Sequence, residues 1–478
     1  MTADRATNLP AQDLQNFAAL CRHGAVAAAD RERPVLVSWT FAVPELRVAD
    51  RVRHLSNDGG RTFVWASRWT VQRRLAVATA LDVTGHAVER FDQVSAAWRT
   101  SRDGALIGGT GRQPSLVGGF SFFGRDRDRD RSATLPDALM WLPAAELVED
   151  PGSPPVLTLN AWISPAADGR AAAWHAENAA RSLTVDAAIV DKQQAQVISL
   201  REAPSAVEWK LLVRRALDAI TEGTFGKVVL SRQLALGFDG PVAVAPVLAS
   251  LMDQHHIGAV FGARLGGNWF VGRTPECLLH LRGECADTHG LAGSVPCDPD
   301  PVRDAQLRHY LQTDPKLERE HTIVADVVKR TLQRFFRDVR TDTANPVLKL
   351  TDIQHLQTGI TASNPMLAPD LLRLAGVLHP TPAVGGFPAT PALRWLVANE
   401  PLDRGWYAAP IGWIGADGGG ELAVAIRSAI INGVSAVVYA GCGIVEGSDP
   451  DQEYDETRLK MRQMLTVLGI SDDALVPQ

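Results

Sequence analysis

The rhythm of apolar and polar positions changes about two fifths of the way along the chain. Up to about residue 200, short apolar runs such as "RPVLVSW", "RTFVWAS", "SLVGGFSFFG" and "PVLTLNAWI" sit between polar turns. Their length and β-branched or aromatic content predict strands. The stretch "AAAWHAENAARSLTVDAAIVDKQQAQ" predicts mainly helix. From about 205 the periods are clearer. "SAVEWKLLVRRALDAITEG" carries a helical stripe closed by Gly223, and "LEREHTIVADVVKRTLQRFF" predicts a second, longer helix. "FGKVVLSRQLAL" predicts a strand, "HIGAVFGARLGGNWFVG" two strands around a glycine turn, and "GGGELAVAIRSAIINGVSAVVYAGCGIV" two or three more. These strands follow one another as hairpins, without strict alternation with helices. The pattern predicts an α+β fold with a large antiparallel-sheet core and surrounding helices. It divides the chain into a sheet-rich half over 1–200, part of one compact unit, and a second region over 205–470. No repeat of 20–50 residues is evident.

Composition narrows the class. The chain has 478 residues, 46% hydrophobic and 21% charged, an ordinary balance for a protein with a large core. A net charge of −6 is mild and argues against nucleic acid, which selects basic stripes. No run approaches the roughly 18 uninterrupted apolar residues of a membrane span, and the first twenty residues lack a basic stretch followed by an apolar core. The expectation is a cytoplasmic protein without a membrane partner. The five cysteines form no CxxC pair, which speaks against disulfides and a thiolate zinc site. The alternating run "RDRDRDR" reads as a solvated, salt-bridged loop, with a charge-laced regulatory patch as the alternative.

The most unusual local chemistry is "EGSDPDQEYDETRLKMRQML", where Asp449, Asp451, Glu453, Asp455 and Glu456 crowd the start of a predicted helix. Part of this is helix chemistry. Asp449 suits the cap, Pro450 the first turn, and Gln452 the third position of a capping box. Acids also favour the positive end of the helix dipole. Glu453 and Glu456 are harder to absorb, because residues three apart share a face and repel. Lys460, four residues beyond Glu456, offsets only one of them. A hard divalent cation such as Mg²⁺ would relieve the repulsion, and solvated charge is the alternative. The preceding "AGCGIVEG" lacks the third glycine of a dinucleotide fingerprint, and no GK[ST] occurs, so a nucleotide site is not expected.

Lys227 in "FGKVVLSR" and Glu276 in "TPECLL" are, on their own, ordinary strand residues facing solvent. Arg427 in "AVAIRSA" reads as lying in a strongly apolar strand, where a buried guanidinium needs a carboxylate from the protein or the substrate. Taken together and in order, "FGKVVLSR", "FVGRTPECLL", "LAGSVP", "EREH", "QHLQTGI", "LHPTPAVGGFP", "PLDRGWYAAPIGW", "AVAIRS" and "AGCGIVEGSDPDQEYDET" resemble the chorismate-utilising enzymes. That group comprises the anthranilate, aminodeoxychorismate, isochorismate and salicylate synthases. The resemblance runs from roughly 205 to 470; "VGGFSFFG" and "DALMWLPAAEL" extend it only loosely into the first half.

What the resemblance implies is specific. The fold would be that of anthranilate synthase component I, α+β. Mg²⁺ would be held by Glu453 and Glu456 with Glu320 of "EREH", and would hold the ring carboxylate of chorismate. Lys227 would be the base that takes a proton from water, and Glu276 the acid that protonates the departing hydroxyl. Arg427 and Tyr407, with backbone donors near Gly441, would bind the pyruvyl carboxylate. Backbone donors at Gly293 and Ser294 would approach the other carboxylate, Lys460 would add positive charge, and His355 would lie near the ring or serve only as a core histidine.

Within the group the chain resembles the isochorismate synthases. The ammonia-using members generally lack the lysine base, and they usually carry a lysine just after the proline that matches Pro388, where this chain has Ala389. No glutaminase-like nucleophile element is visible, so water rather than ammonia is the expected nucleophile and no glutaminase subunit is expected. Cys442 stands where the group more often has alanine. "GSDPDQEYDE" is closer to the menaquinone branch than to the siderophore branch. The alternatives are a salicylate synthase and a non-catalytic chorismate-binding protein.

Overall fold

A computed structural model describes residues 8–57, 59–124, 135–185, 195–254, 257–342 and 346–470. The "RDRDRDR" run lies outside the described residues. The chain forms two compact units, and both are discontinuous in sequence. The first consists of Met1–Gln193, Ala243–Arg273 and Ile411–Gly420, and the second of Gln194–Val242, Thr274–Pro410 and Glu421–Gln478. The fold class is α+β, with sheets whose strands pair mostly antiparallel.

In the first unit the predicted strands form as read, at Val35–Ala42, Thr62–Ser67, Ser115–Phe120 and Val156–Ile163. "HIGAVFGARLGGNWFVG" also forms its two strands, Ala259–Leu265 and Asn268–Thr274, but they belong to this unit rather than to the region that surrounds them in sequence. Of the stretch predicted to be mainly helix, Arg170–Ser182 is helical. The core of this unit holds a buried ion pair. Arg74 Nη1 lies 2.7 Å from Glu146 Oε1, and the Ser115 hydroxyl donates to Glu146 Oε2 at 2.7 Å. The guanidinium of Arg74 stacks 3.6 Å from the centroid of the Trp413 ring.

The second unit carries the residues singled out in sequence. Its strands, in chain order, are β1 (Val197–Ala203), β2 (Lys227–Phe238), β3 (Cys277–Arg282), β4 (Cys285–Pro296), β5 (Phe336–Asp342), β6 (Val347–Lys349), β7 (Ile353–Pro365), β8 (Gly386–Phe387), β9 (Gly420–Val424), β10 (Ser428–Asn432) and β11 (Ser435–Val445). Its helices are α1 (Ala206–Thr221), α2 (Pro301–Thr313), α3 (Pro315–Leu332), α4 (Leu371–Leu378), α5 (Ala389–Asn399) and α6 (Pro450–Val467). One group of strands runs β1–β2–β11–β10, with β8 on the start of β2; another runs β5–β7–β4–β3–β9, with β6 on β7.

Local chemistry explains the main boundaries. Ser205 and Glu208 form a reciprocal capping box at the start of α1. Asp314 accepts from the N–H groups of Lys316 and Leu317, with Pro315 next to it, and so starts α3. Asp449 accepts from the N–H groups of Asp451 and Gln452 at the head of α6, as the acidic run suggested. Val295, Leu311, Leu317 and Leu356 form a small apolar cluster that fastens α2 and α3 onto β4 and β7. Helix α6 packs on β11 and α1.

Candidate active site

The site is built where β2 and β11 meet the ends of β3, β4 and β7 and the starts of α3 and α6. A cavity opens there, and every residue lining it belongs to the second unit. Its walls include Glu276, Gly293, Ser294, Glu320, His355, Arg404, Tyr407, Arg427, Gly441 and Lys460, together with apolar Val229, Leu291, Val384 and Ile426. A concave site that mixes apolar walls with converging cationic groups suits a small anionic ligand.

Strand register sets the first two groups. Lys227 opens β2 opposite Val445 of β11, and its side chain is fully enclosed. Its Nζ lies 2.9 Å from Glu320 Oε1, an ion pair without hydrogen-bond alignment. Lys227 is not itself a lining residue; it reaches the cavity wall through Glu320. Burial opposes ionisation of Glu320, yet Lys227, with Lys460 and Lys316 behind it, holds its carboxyl below the ordinary range. Gly443 on β11 makes room for this pair, because a Cβ there would stand 2.3 Å from Glu320 Oε1 and 3.0 Å from Lys227 Cε.

Glu276 sits just before β3, its carbonyl accepting from the N–H of Val424 at 3.0 Å. Its side chain is buried, and that burial pushes its carboxyl from 4.5 up to about 7, against the pull of Lys227, Lys460 and the Thr381 hydroxyl. An acid that holds its proton near neutrality can donate it. Lys227 is the first charge that pulls against this burial, so the start of β2 stands within electrostatic reach of the Glu276 carboxyl.

A β-bulge forms the next part. Ala292 pairs with Leu356 and Ser294 with His355, leaving Gly293 as the extra residue, at φ +72°. Ser294 Oγ then lies 3.0 Å from His355 Nδ1, and the Gly293 carbonyl lies 3.2 Å from the same nitrogen. Arg427 Nη2 is 3.0 Å from His355 Nε2. A guanidinium only donates, so Nε2 must accept and Nδ1 must carry the proton. Burial, then the charges of Arg427 and Lys460, hold His355 well below its ordinary value, so it is neutral. His355 thus orients Arg427.

Arg427 does not lie inside a strand, as the apolar run suggested. It occupies the link between β9 and β10 at φ +53°, a left-handed backbone that costs an L-residue about 1–2 kcal/mol. That backbone turns a charged side chain away from the strand it would otherwise continue. Tyr407, from the turn before Pro410, stacks on Tyr439 with ring centroids 5.1 Å apart, and burial pushes its hydroxyl up. A Cβ at Gly441 would meet the Leu230 carbonyl at 2.5 Å and the Tyr407 hydroxyl at 3.1 Å. The Gly441 carbonyl accepts from Lys460 Nζ at 3.0 Å.

Helix α6 is clamped from below. Arg232 of β2 pairs with Glu202 of β1 at 2.7 Å, bonds Thr457 at 3.2 Å and lies 4.1 Å over the Tyr454 ring; the Tyr454 hydroxyl donates to Glu202 at 2.7 Å. Thr457 and Tyr454 are thereby fixed, with Glu453 and Glu456 on adjoining positions. Glu453 is buried and lies 2.9 Å from Lys316 Nζ; Glu456 lies 2.5 Å from Lys460 Nζ. Burial and the neighbouring Glu456 push the Glu453 carboxyl up in spite of Lys316. Burial lowers Lys460, but Glu456 more than offsets this, leaving the ammonium strengthened. Among the described residues no three His, Cys, Asp or Glu side chains converge, as they stand, on a point that could hold a metal. The donor set nevertheless fits a hard cation. Its members are carboxylates, the ligand type such a cation takes, and Lys316 of α3, in contact with Glu453, also feels the charges of Glu320 and Glu456.

Sequence reasoning missed Lys316, Arg404, Gly443 and Thr381. Arg404 carries a buried ion pair with Glu400, at 2.7 and 2.8 Å, and donates to the carbonyls of Val384 at 2.8 Å and Val229 at 2.6 Å. Glu400 in turn accepts from the N–H of Ser231 at 2.8 Å and its hydroxyl at 2.6 Å. The pair ties β2 to the loop over the cavity. Lys316 had a visible signal, its spacing of four from Glu320.

With this geometry in hand, comparison with known proteins is decisive. The family model described as chorismate binding enzyme matches residues 22–469. The chain belongs to the chorismate binding enzyme family. It is 36% identical over 358 residues to isochorismate synthase MenF of Bacillus subtilis, covering 74% of this chain and 75% of that one. It is 32% identical over 455 residues to the salicylate biosynthesis isochorismate synthase of Pseudomonas aeruginosa, covering 92% of each. The solved structure of the menaquinone-specific isochorismate synthase MenF of Escherichia coli superposes with a TM-score of 0.77 at 25% identity, over 96% of this chain and 99% of that one. Anthranilate synthase component I of Streptococcus pneumoniae shares the fold, with a TM-score of 0.67 at 19% identity, over 82% of this chain and 92% of that one. Among the described residues no helix is long and apolar enough to cross a membrane.

Proposed function

We propose that this chorismate binding enzyme is a Mg²⁺-dependent isochorismate synthase, adding water at one ring carbon of chorismate while the hydroxyl leaves from another. The observation that carries the reading is Glu276. It is a buried carboxylic acid with a value of about 7, on the wall of a cavity whose other charges include Arg427 and Lys460, and within reach of a fully enclosed lysine. Two proton transfers are needed, one from the attacking water and one to the departing oxygen. Glu276 supplies the second. Lys227, once it has released to solvent the proton it holds in its ion pair with Glu320, receives the first. Exchange of that proton back to Glu276 resets the pair, because the reaction is a net isomerisation.

Arg427, oriented by His355, grips a substrate carboxylate with its planar fork, and Tyr407 adds a hydroxyl beside it. Gly293 and Ser294 line the wall near His355, where the bulge frees backbone for a second carboxylate. Lys460, anchored on the Gly441 carbonyl, adds a fixed positive charge. Glu320, Glu453 and Glu456 would hold Mg²⁺, which when bound supplies positive charge for the ring carboxylate. One relative is named menaquinone-specific and another a salicylate biosynthesis enzyme, and the product is assigned here to a menaquinone or a siderophore route.

The test is incubation of the full chain with chorismate and Mg²⁺, without an amino donor, and chromatography of the products. Isochorismate without pyruvate release is the expected result. Salicylate with stoichiometric pyruvate would replace the reading with a salicylate synthase. Calorimetric binding without turnover would replace it with a binding protein.

A further inference from the structure

Each carboxylate assigned to the cation already has an ammonium beside it. Lys227 stands 2.9 Å from Glu320, Lys316 2.9 Å from Glu453, and Lys460 2.5 Å from Glu456. Lys227 and Lys460 have roles in the reading above; Lys316 has none. It is the second residue of α3, one turn before Glu320, so the two project from one helix face. On α6, Glu453 and Glu456 likewise share a face. Besides its contact with Glu453, Lys316 feels the charges of Glu320 and Glu456, so one ammonium lies where the fields of all three carboxylates overlap. Its side chain is 28% exposed, which leaves it a path toward water.

We propose that Lys316 is a built-in counter-ion that holds the place of the divalent cation and must swing aside when the cation binds. The inference rests on reading Glu320, Glu453 and Glu456 as the cation site. Three ammonium groups against three carboxylates leave the empty site close to neutral. A dication entering alone creates a surplus of two positive charges, and a ring compound with two carboxylates removes it. Lys316 therefore weakens cation binding to the empty protein and couples it to the arrival of the dianion. It acts through the carboxylates, by competition, and touches no reacting atom.

The experiment uses the full chain and Mn²⁺ as the probe, at pH 8. Mn²⁺ binding is followed by calorimetry and by the paramagnetic resonance signal of the free ion. It is measured with and without a saturating mixture of chorismate and its product. Wild type is expected to bind Mn²⁺ at least tenfold more tightly with the dianions present. Lys316→Met and the milder Lys316→Gln are expected to bind Mn²⁺ about tenfold more tightly than wild type in their absence, about 1.4 kcal/mol. The gain from the dianions should shrink in proportion. Lys316→Arg keeps the charge and should resemble wild type. If Glu456→Gln weakens Mn²⁺ binding but the folded Lys316 variants match wild type, the counter-ion inference fails and the cation site stands. If wild type binds no Mn²⁺ with or without the dianions, both fail together.

Discussion

Replacing Glu276 with glutamine isolates the group on which the mechanism depends. The two side chains have nearly the same shape, but glutamine cannot ionise and cannot give up a proton. Burial raises the Glu276 carboxyl from 4.5 to about 7. The unfolded chain therefore releases this proton near 4.5, and the folded protein releases it only near 7. Between those values the unfolded state binds fewer protons, so stability falls as pH rises. The contribution is intact below 4.5, declines across the window and is fully lost above 7. At about 1.4 kcal/mol per pH unit, the loss has a ceiling of roughly 3 kcal/mol. Glu276→Gln escapes it. In metal-free buffer, urea unfolding should show the variant close to wild type at pH 5 and more stable by about 2–3 kcal/mol at pH 8. The same substitution should abolish turnover at every pH, and wild-type kcat/KM should fall as pH climbs through 7. A stability difference that stays constant from pH 5 to 8 would refute the burial argument. A variant that keeps more than a few per cent of wild-type turnover would refute the acid role.

Lys227→Ala should abolish isochorismate formation with an unchanged circular dichroism spectrum, and retained turnover would remove it as the base. Gly443→Ala places a methyl against the flexible end of Glu320 rather than against backbone, so the fold should survive. Its melting temperature should stay within a few degrees of wild type while kcat/KM drops about a hundredfold. Arg404→Met strands the buried Glu400 carboxylate and should cost about 3–5 kcal/mol in urea unfolding. Arg427→Lys exchanges a planar fork for a point charge and should raise KM for chorismate about tenfold, with a smaller change in kcat.

The regular parts of this fold are legible because they follow from short-range pattern. The helical stripe of α1, the alternation of β2 and the acidic start of α6 each depend on residues within a few positions of one another. The counter-ions are different. That Glu453 faces Lys316 and Glu400 faces Arg404 follows from the packing of helices and loops, and residue spacing alone does not encode it. Arg427 shows the limit most clearly. Its apolar neighbours read as one continuous strand, whereas the backbone breaks there and takes a left-handed turn that no hydrophobic pattern signals.

The interleaving of the two units bears on how this chain must be made. Ile411–Gly420 belongs to the first unit, yet it is synthesised after most of the second. Trp413, which covers the guanidinium of Arg74, arrives with that segment. Until it does, the ion pair in the first unit lacks one wall, and the second unit still awaits α6 with its two glutamates. A nascent chain can finish neither unit early, and a fragment cut near residue 200 would carry orphaned strands of the other. Both units are therefore complete only once the chain has been made beyond Gly420 and through α6.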